Sequence, residues 1–541
     1  MNNAKRFRVV LLAAVALAGC TGPREEAYQR IAVLPFEDLS SGGAVHWKGR
    51  ALGELVAIRL SGLPQTTAVF AAGLPAAAAI RATHVLHGYF DRDGAHASLE
   101  EFTAHRTVKT AAVWGSDPAV LSLAIARSIE PAARGIPVTA IAAQAFAEGS
   151  YERATAEAPG FGPAYVAWVN QSLARGDRDG AVRALAAARN QGKAFHPLER
   201  ARLDVFAATL AGDAVSRRKA LVALTRADPA DAAAFRALAE IDTSARWFQS
   251  AAQWFDQALA RDPAPEIYNA AGYNRAYAGD LDGAVQLLQR YRELRPGDAN
   301  ALDSLAEVYY HAGRFADAER YFLEAYANNP GFLGGAALYK AAWARLMMGD
   351  FKRASAHADK FFAARVAMRD PAAPILQAQW EFVTGRRDAA VAVLEKSASP
   401  AASAHLAVWA MDAGDRERAR RLAARLPERS SMAAALETAL GSEVKVAPGP
   451  ARSLGLGWAA MLAGRPGEAV PHFREFYRLT PPSSPEPAPV LLAWALIENG
   501  QAAEARPLLE RNVIPDATAD HPFVALAYPR ILELRKRAGL K

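Results

Sequence analysis

"NALDSLAEVYYHAGRFADAERYFLEAYANNP", Asn300 to Pro330, is the stretch on which the reading of this 541-residue chain turns. Leu302, Leu305, Ala306 and Tyr309 recur at helical spacing and predict the packing stripe of a first helix. Gly313 stands where that helix must end in a left-handed residue. Phe315 packs the turn, Ala318, Phe322 and Ala325 line a second helix, and Pro330 punctuates its end. Small residues at 306 and 318 let the two helices approach closely.

The same punctuation recurs outward from this hairpin. Glycine followed by Asp, Arg or Gln stands at 176, 212, 279, 313, 349, 385, 414, 464 and 500, with gaps of 36, 67, 34, 36, 36, 29, 50 and 36. The gap of 67 is about two units. Prolines 229, 263, 296 and 330 provide a second ruler, spaced 34, 33 and 34. Tyr268, Gly272, Gly279, Ala284, Leu288 and Pro296 repeat the pattern one unit earlier. Copies after 385 are more irregular, and 427 to 450 holds a break containing Pro and Gly. One such unit cannot bury its apolar face alone, so neighbours must stack.

A period near 34 with helical composition resembles the tetratricopeptide repeat (TPR). The resemblance implies an all-α solenoid over 136–541 with a concave side, although Arg275 stands where that family usually has an aromatic. Family positions two, five, nine, twelve and thirteen of the first helix usually face the concave side. Here they include Asn269, Tyr273, Tyr277, Asn300, Asp303, Glu307, Tyr310, His311, Tyr339 and Trp343. Aromatics beside amides and carboxylates would suit an extended peptide or a partner's helix. The alternative is that several of them only fill space between repeats. The paired Lys/Asn clamp that some of these proteins use for acidic tails is not apparent.

Size and composition set the frame for the remainder. At this length the chain holds several domains or an array. Apolar residues make up 51% and charged residues 22%, as in folded proteins. The net charge of +7 is too small for a nucleic-acid footprint, and no basic stripe with interleaved aromatics occurs. The single cysteine excludes an internal disulfide and a cysteine-based zinc site.

That cysteine lies in "LAGCTGPREE", Leu17 to Glu26. Lys5, Arg6 and Arg8 precede a ten-residue apolar run, "VVLLAAVALA". Ten residues rise about 15 Å as helix, half of a ~30 Å bilayer core, so residues 1–19 read as a signal peptide rather than a span. Its removal leaves a charge of +4. Leu17-Ala18-Gly19-Cys20 resembles the lipobox of bacterial lipoproteins. The resemblance implies that Cys20 Sγ carries a diacylglycerol, that cleavage leaves Cys20 first, and that its amine is often acylated too. Two or three acyl chains, at ~0.8 kcal/mol per buried CH₂, anchor a protein nearly irreversibly. Thr21, a residue other than Asp, points to the outer membrane by the sorting habit of enteric bacteria. Residues 20–29 are the lipidated cysteine and a tether, Thr21 to Gln29, that spans at most about 30 Å, at ~3.3–3.6 Å per residue.

Residues 30–135 predict a small α/β domain. "RIAVLPF" (Arg30 to Phe36) reads as a strand buried on both faces, with Pro35 near its end. A helix over "LGELVAIRLSGL", a strand at "TTAVFA" and a helix at "LPAAAAIRA" follow. Three strands, "HVLHGYF", "ASLEEFTA" and "TVKTAAVW", come next, the first two turning at "DRDG". A helix capped by Asp117 closes the set. "RIAVLPFEDLS" followed by "ATHVLHGYF…DG" resembles the TolB amino-terminal-like domain, which often precedes tetratricopeptide repeats and implies no single activity. Here "GGAVHWKG" after the first strand departs from that pattern.

Chemistry is harder to find. His84 and His87, three apart on a strand, point to opposite faces and cannot share a metal. "SSGGAVHWKG" lacks phosphate-loop spacing. There is no GxSxG or HExxH, and carboxylates fall on what read as solvated helix faces. The sequence therefore predicts a mainly α, non-enzymatic envelope lipoprotein without cofactor or metal. It would be anchored by Cys20, face the periplasm and hold protein or peptide partners through its repeats. The alternative is a ligand-sensing or regulatory subunit acting through a polar pocket in residues 30–135.

Overall fold

"RIAVLPF" becomes a strand because its alternating side chains have an apolar surface on either side. In the computed structural model, β1 (Gln29–Val33) is followed by β2 (Glu37–Asp38), α1 (His46–Leu60), β3 (Thr66–Phe70), α2 (Leu74–Ala79), β4 (His84–Phe90), β5 (Gly94–Glu101), β6 (Arg106–Trp114) and α3 (Pro118–Ile129). The structure describes residues 28–39, 46–441, 446–482, 487–510 and 521–540, without the side chains of His46 and Lys193. Cys20, its lipobox and most of the glycine-rich loop after β1 lie outside the described residues.

The sheet order is β3-β1-β4-β5-β6, with β2 also pairing β4. β1 runs parallel to β3 and β4, while β4, β5 and β6 pair antiparallel. Ile31 and Val33 pack on one face with Leu52, Val56 and Leu60 of α1 and Leu121 and Ile125 of α3. Ala32 packs on the other face with Ala71, Ala77 and Val85. Each fully buried aliphatic side chain contributes roughly 1.5–3 kcal/mol. Local chemistry sets the boundaries: Asp91 accepts from the amides of Asp93 and Gly94 at 2.8 and 3.0 Å in the β4–β5 turn, and Asp117 caps α3 through the Ala119 amide at 2.8 Å.

The chain divides into two compact units. The first comprises residues up to Gly176 with Arg189–Phe195 and Asp228–Ala230; the second comprises the rest. Within the first, Leu55 on α1 packs with Ala142, Phe146 and Phe161 of the helices that follow. Thus α1 is buried against the sheet and against these helices. Buried Arg59 ties α1 to α3, donating to Ser122 Oγ and the Ala119 carbonyl, each at 3.0 Å. Burial, then the nearby Arg127 and Arg134, brings its pKa down to about 10.

The second unit is a stack of helical hairpins. All nine punctuating glycines have φ between +67° and +89°. At Gly279 and Gly349 an added Cβ would meet nothing within 4 Å, so backbone conformation, not space, requires glycine there. The double gap of the sequence ruler is filled by Arg246, which holds φ +62° without being glycine. Space matters at Gly272 and Gly457, where a Cβ would lie 2.7 Å from Leu288 and 2.6 Å from Phe473 on the following helix. In the hairpin first quoted, Leu302, Leu305, Ala306, Tyr309, Ala318, Phe322 and Ala325 are all buried, as the spacing predicts.

The array winds far enough to meet itself. Arg246 Nη2 donates to the Thr480 carbonyl at 3.0 Å, 234 positions away, and its guanidinium lies 3.7 Å from the Tyr477 ring centroid. After residue 385 the second helices vary in length, from nine (Arg387–Glu395) and eight residues (Arg416–Ala423) back to 14 (Pro466–Leu479). The stretch read as a break contains a further helix, Ser431–Leu440, capped by Ser430 and ended by Gly441 at φ +73°. No described helix is long and apolar enough to cross a membrane.

Candidate functional site

First helices of the repeats bring a polar cluster together from three successive hairpins. Lys340 Nζ donates to Asp303 Oδ2 at 2.7 Å and to Glu307 Oε1, while the Tyr273 hydroxyl donates to the other Glu307 oxygen. Burial works to raise the Glu307 pKa, but Lys340, then the hydrogen bonds from Lys340 and Tyr273, hold it below the ordinary carboxylate value. Burial works to lower Lys340, and the two carboxylates overcome it and raise its pKa. Burial and the adjacent Glu307 push Tyr273 up. Lys340 therefore stays charged and Tyr273 stays a neutral donor at physiological pH. The Tyr277 ring lies 6.0 Å from Tyr273 and 6.5 Å from His311. Tyr273, Tyr277 and Glu307 are half-buried, the Glu307 side chain keeping 18% of its surface.

Five of the residues expected to line a partner groove thus gather: Tyr273, Tyr277, Asp303, Glu307 and His311. Asp303 and His311 are buried within the cluster rather than facing solvent. Asn269 is half-buried, and its Oδ1 has no hydrogen-bond partner among the described residues. Asn300 turns aside, donating to the Tyr291 hydroxyl at 2.9 Å. Lys340, the hub, was not anticipated; a lysine amid "AALYKAAWA", where every neighbour is apolar, was the available signal.

The other three expected groove residues are corrected by the structure. Tyr310, Tyr339 and Trp343 have no exposed surface. Tyr339 stacks on Phe361 with centroids 5.0 Å apart, and Trp343 meets Trp380 edge-on at 5.5 Å. Part of the cover is the chain's own C-terminal helix, Val524–Arg537: the Tyr528 ring lies 4.5 Å from Trp343, and Val524 and Tyr528 belong to the same core as Tyr310 and Tyr339. The helix also meets later repeats. Phe523, just before it, packs edge-on against Trp458 at 4.7 Å, the Arg530 guanidinium lies 4.6 Å from the Trp494 centroid, and its Nη2 reaches Asp412 at 3.4 Å. At its start, His521 and His405 flank Gln379, whose amide reaches His405 Nε2 at 2.8 Å and the His521 carbonyl at 3.5 Å. Enclosure, then the neighbouring His405, brings the His521 pKa down to about 4.

Carboxylates that read as solvated also prove to be buried fasteners. Asp242 accepts from Arg218 at 2.6 and 2.9 Å, Ser250 at 2.6 Å and Trp254 at 3.2 Å. Glu319 pairs with Arg345 at 2.6 Å and with His357 at 3.1 Å. Each joins elements distant in sequence, and the polar periodicity of one helix cannot reveal its partner on the next.

The α/β region carries a separate open cleft of about 670 Å³, lined by Gln29, Gln65, Thr66, Thr83, His84 and Glu130 among others. His84 bonds Thr83 Oγ1 at 2.9 Å, and burial lowers its pKa. His87 faces Glu100 at 3.2 Å. Among the described residues, no group of three His, Cys, Asp or Glu is placed to hold a metal.

Residues 269–331, the quoted hairpin and its predecessor, match the tetratricopeptide repeat family model. Solved structures similar to this chain include MamA residues 41 to end from Desulfovibrio magneticus, 16% identical, covering 32% of this chain and 96% of that one at a TM-score of 0.29. A tetratricopeptide repeat protein from Parabacteroides merdae is also 16% identical, covering 56% and 99% at a TM-score of 0.32. YrrB, described as a TPR protein with an unusual peptide-binding site, is 18% identical, covering 33% and 87% at a TM-score of 0.27. At such scores the tetratricopeptide reading rests on the family match and the repeat geometry. No curated protein matches the chain. The molecule is mainly α, with a small sheet region preceding an array of helical hairpins, of which residues 269–331 match the tetratricopeptide repeat.

Proposed function

We propose that this protein is a lipid-anchored envelope scaffold that holds protein or peptide partners through its tetratricopeptide array. The observation that carries the interaction role is the half-buried strip of Tyr273, Tyr277 and Glu307, which keeps some surface within the family-matched repeats. Aromatic rings beside a charged acceptor are the chemistry of an interaction hot spot. The anchor is supported by the lipobox at Leu17–Cys20, and Thr21 favours the outer membrane with the repeats in the periplasm. The TolB amino-terminal-like resemblance of residues 30–135 belongs to this reading, as does a role without catalysis.

Labelling cells with an alkyne fatty acid tests the anchor: the tag is expected on the protein and absent from Cys20→Ser. Crosslinking from membranes tests the scaffold, with Tyr277→Ala expected to lose partners that the unaltered protein captures. An unchanged set would remove the open strip from the proposal. The cleft of about 670 Å³ supports a second reading, in which the α/β region binds a small ligand. A stoichiometric small molecule in native mass spectrometry would favour it.

A further inference from the structure

The C-terminal helix is not an ordinary cap on the end of the array. A capping helix buries one stripe, whereas here six consecutive residues, Phe523 to Tyr528, are all buried. The helix has wall on more than one side. Tyr528 meets Trp343, Phe523 meets Trp458, and Arg530 lies over Trp494, which belong to three different repeats.

We propose that the concave channel of the late repeats is a helix-binding site, that residues 521–537 occupy it as an internal ligand, and that a protein partner presenting a helix of the same chemistry displaces them. This rests on the scaffold reading above and names the kind of partner. That chemistry is an aromatic residue at the positions of Phe523 and Tyr528, aliphatic residues at those of Val524 and Ile531, and an arginine at that of Arg530.

Three observations make the internal ligand replaceable. Pro529 lies inside the helix, where it removes a backbone donor and crowds the preceding turn, so the segment is a poor helix without the channel walls. The enclosed indole N–H groups of Trp380 and Trp458 have no acceptor among the described residues, so the occupant leaves wall donors unsatisfied. A partner with an acceptor side chain at that depth gains what the native helix lacks. The filled channel is also continuous with the open strip: Glu307 of the strip and Tyr310 of the channel lie one turn apart on a single helix, Ala299–His311. An incoming segment can therefore engage the strip before it competes for the channel.

The test uses the full-length protein and a labelled peptide of residues 521–540. Hydrogen exchange is followed at 524–537 and at 336–347 of the intact chain, with and without excess peptide. Displacement is expected to raise exchange at 524–537 at least tenfold and leave 336–347 protected. In fluorescence anisotropy, full-length Tyr528→Asp is expected to bind the peptide at least tenfold more tightly than the unaltered chain. Unchanged exchange would overturn the proposal, as would equal affinity for the two chains. A concentration-dependent dimer with exchanged C-terminal helices would assign the channel to a second copy and also overturn it. If Tyr528→Asp does not fold, the exchange experiment on the unaltered chain still decides. Neither arm needs a cellular partner, so their failure is distinct from failure of the crosslinking that tests the scaffold.

Discussion

The early and late repeats are built from one pattern and bury it differently. Helix Pro265–Tyr277 buries a stripe and leaves Tyr273 and Tyr277 half-buried. Helix Ala336–Met347 buries nine residues in succession from Ala336 to Ala344, and Pro400–Asp412 buries ten, Ala402 to Met411. Stacking against neighbouring hairpins accounts for a stripe in both regions. Burial on all sides requires material on the concave side, part of which the C-terminal helix supplies. The repeat pattern thus defines how hairpins stack, and a non-repeated segment determines which part of the concave side remains open.

The widest contrast should come from truncating one aromatic in each region. Trp343→Ala is expected to cost about 3–5 kcal/mol, as for a large core side chain, and Tyr277→Ala about 1 kcal/mol. Urea denaturation of the two variants checks this, and equal losses would erase the distinction. Lys340→Met probes the boundary between the regions. It leaves Asp303 and Glu307 buried without their cation, with an expected loss of about 3–5 kcal/mol. A neutral result would mean that the triad is better solvated than its geometry shows.

The filled region should also respond to acid. The His521 pKa is lowered to about 4, against an ordinary value near 6.5. Between those values the undocked or unfolded state binds the proton that the native state does not. Native stability should therefore fall as pH drops from about 6.5 to about 4, by about 3 kcal/mol, and should change little further below that from this group. Melts across this range should be flatter for His521→Gln. A similar slope in that variant would assign the effect to other groups.

The smallest effects concern the turns. Gly279→Ala should cost about 1 kcal/mol, because φ +85° is unfavourable for any side chain although the space is free. Arg246→Gly should cost about 1 kcal/mol, since relief of a similar strain at φ +62° offsets only part of the loss of the Tyr477 contact and the Thr480 hydrogen bond. In a Tyr477→Ala background the same change should be nearly neutral, because only the Thr480 hydrogen bond is then lost against the relief of strain. A double-mutant cycle measures the difference, and strict additivity would show that the contact contributes nothing.

Much of the hairpin was legible. The turn glycines, the close approach at Gly272 and the stripe through Leu302 and Phe322 depend on residues a few positions apart, which share a helix face or a turn. The missing glycine between 212 and 279 was legible only as a doubled gap, because a non-glycine residue in a left-handed turn carries no compositional mark. The candidate site was half legible: the family resemblance nominated Tyr273, Tyr277, Asp303, Glu307 and His311, but Lys340 lies a repeat away from the acids it joins. A further signal lay in the continuous apolar runs "APVLLAWALIE" and "FVALAY", since a stretch of helix apolar on every side is buried on every side.

By itself the sequence determined the helical repeat, its period, its punctuation and the succession of strands and helices in the α/β region, because each follows from contacts within one turn, one hairpin or one strand. Only the tertiary structure decided that Tyr310, Tyr339 and Trp343 are core, that Arg246 meets Tyr477, and that Phe523 to Tyr528 are enclosed by distant repeats. Those outcomes depend on the small rotation added at each hairpin, which accumulates over several repeats before distant residues meet. No local window contains that sum.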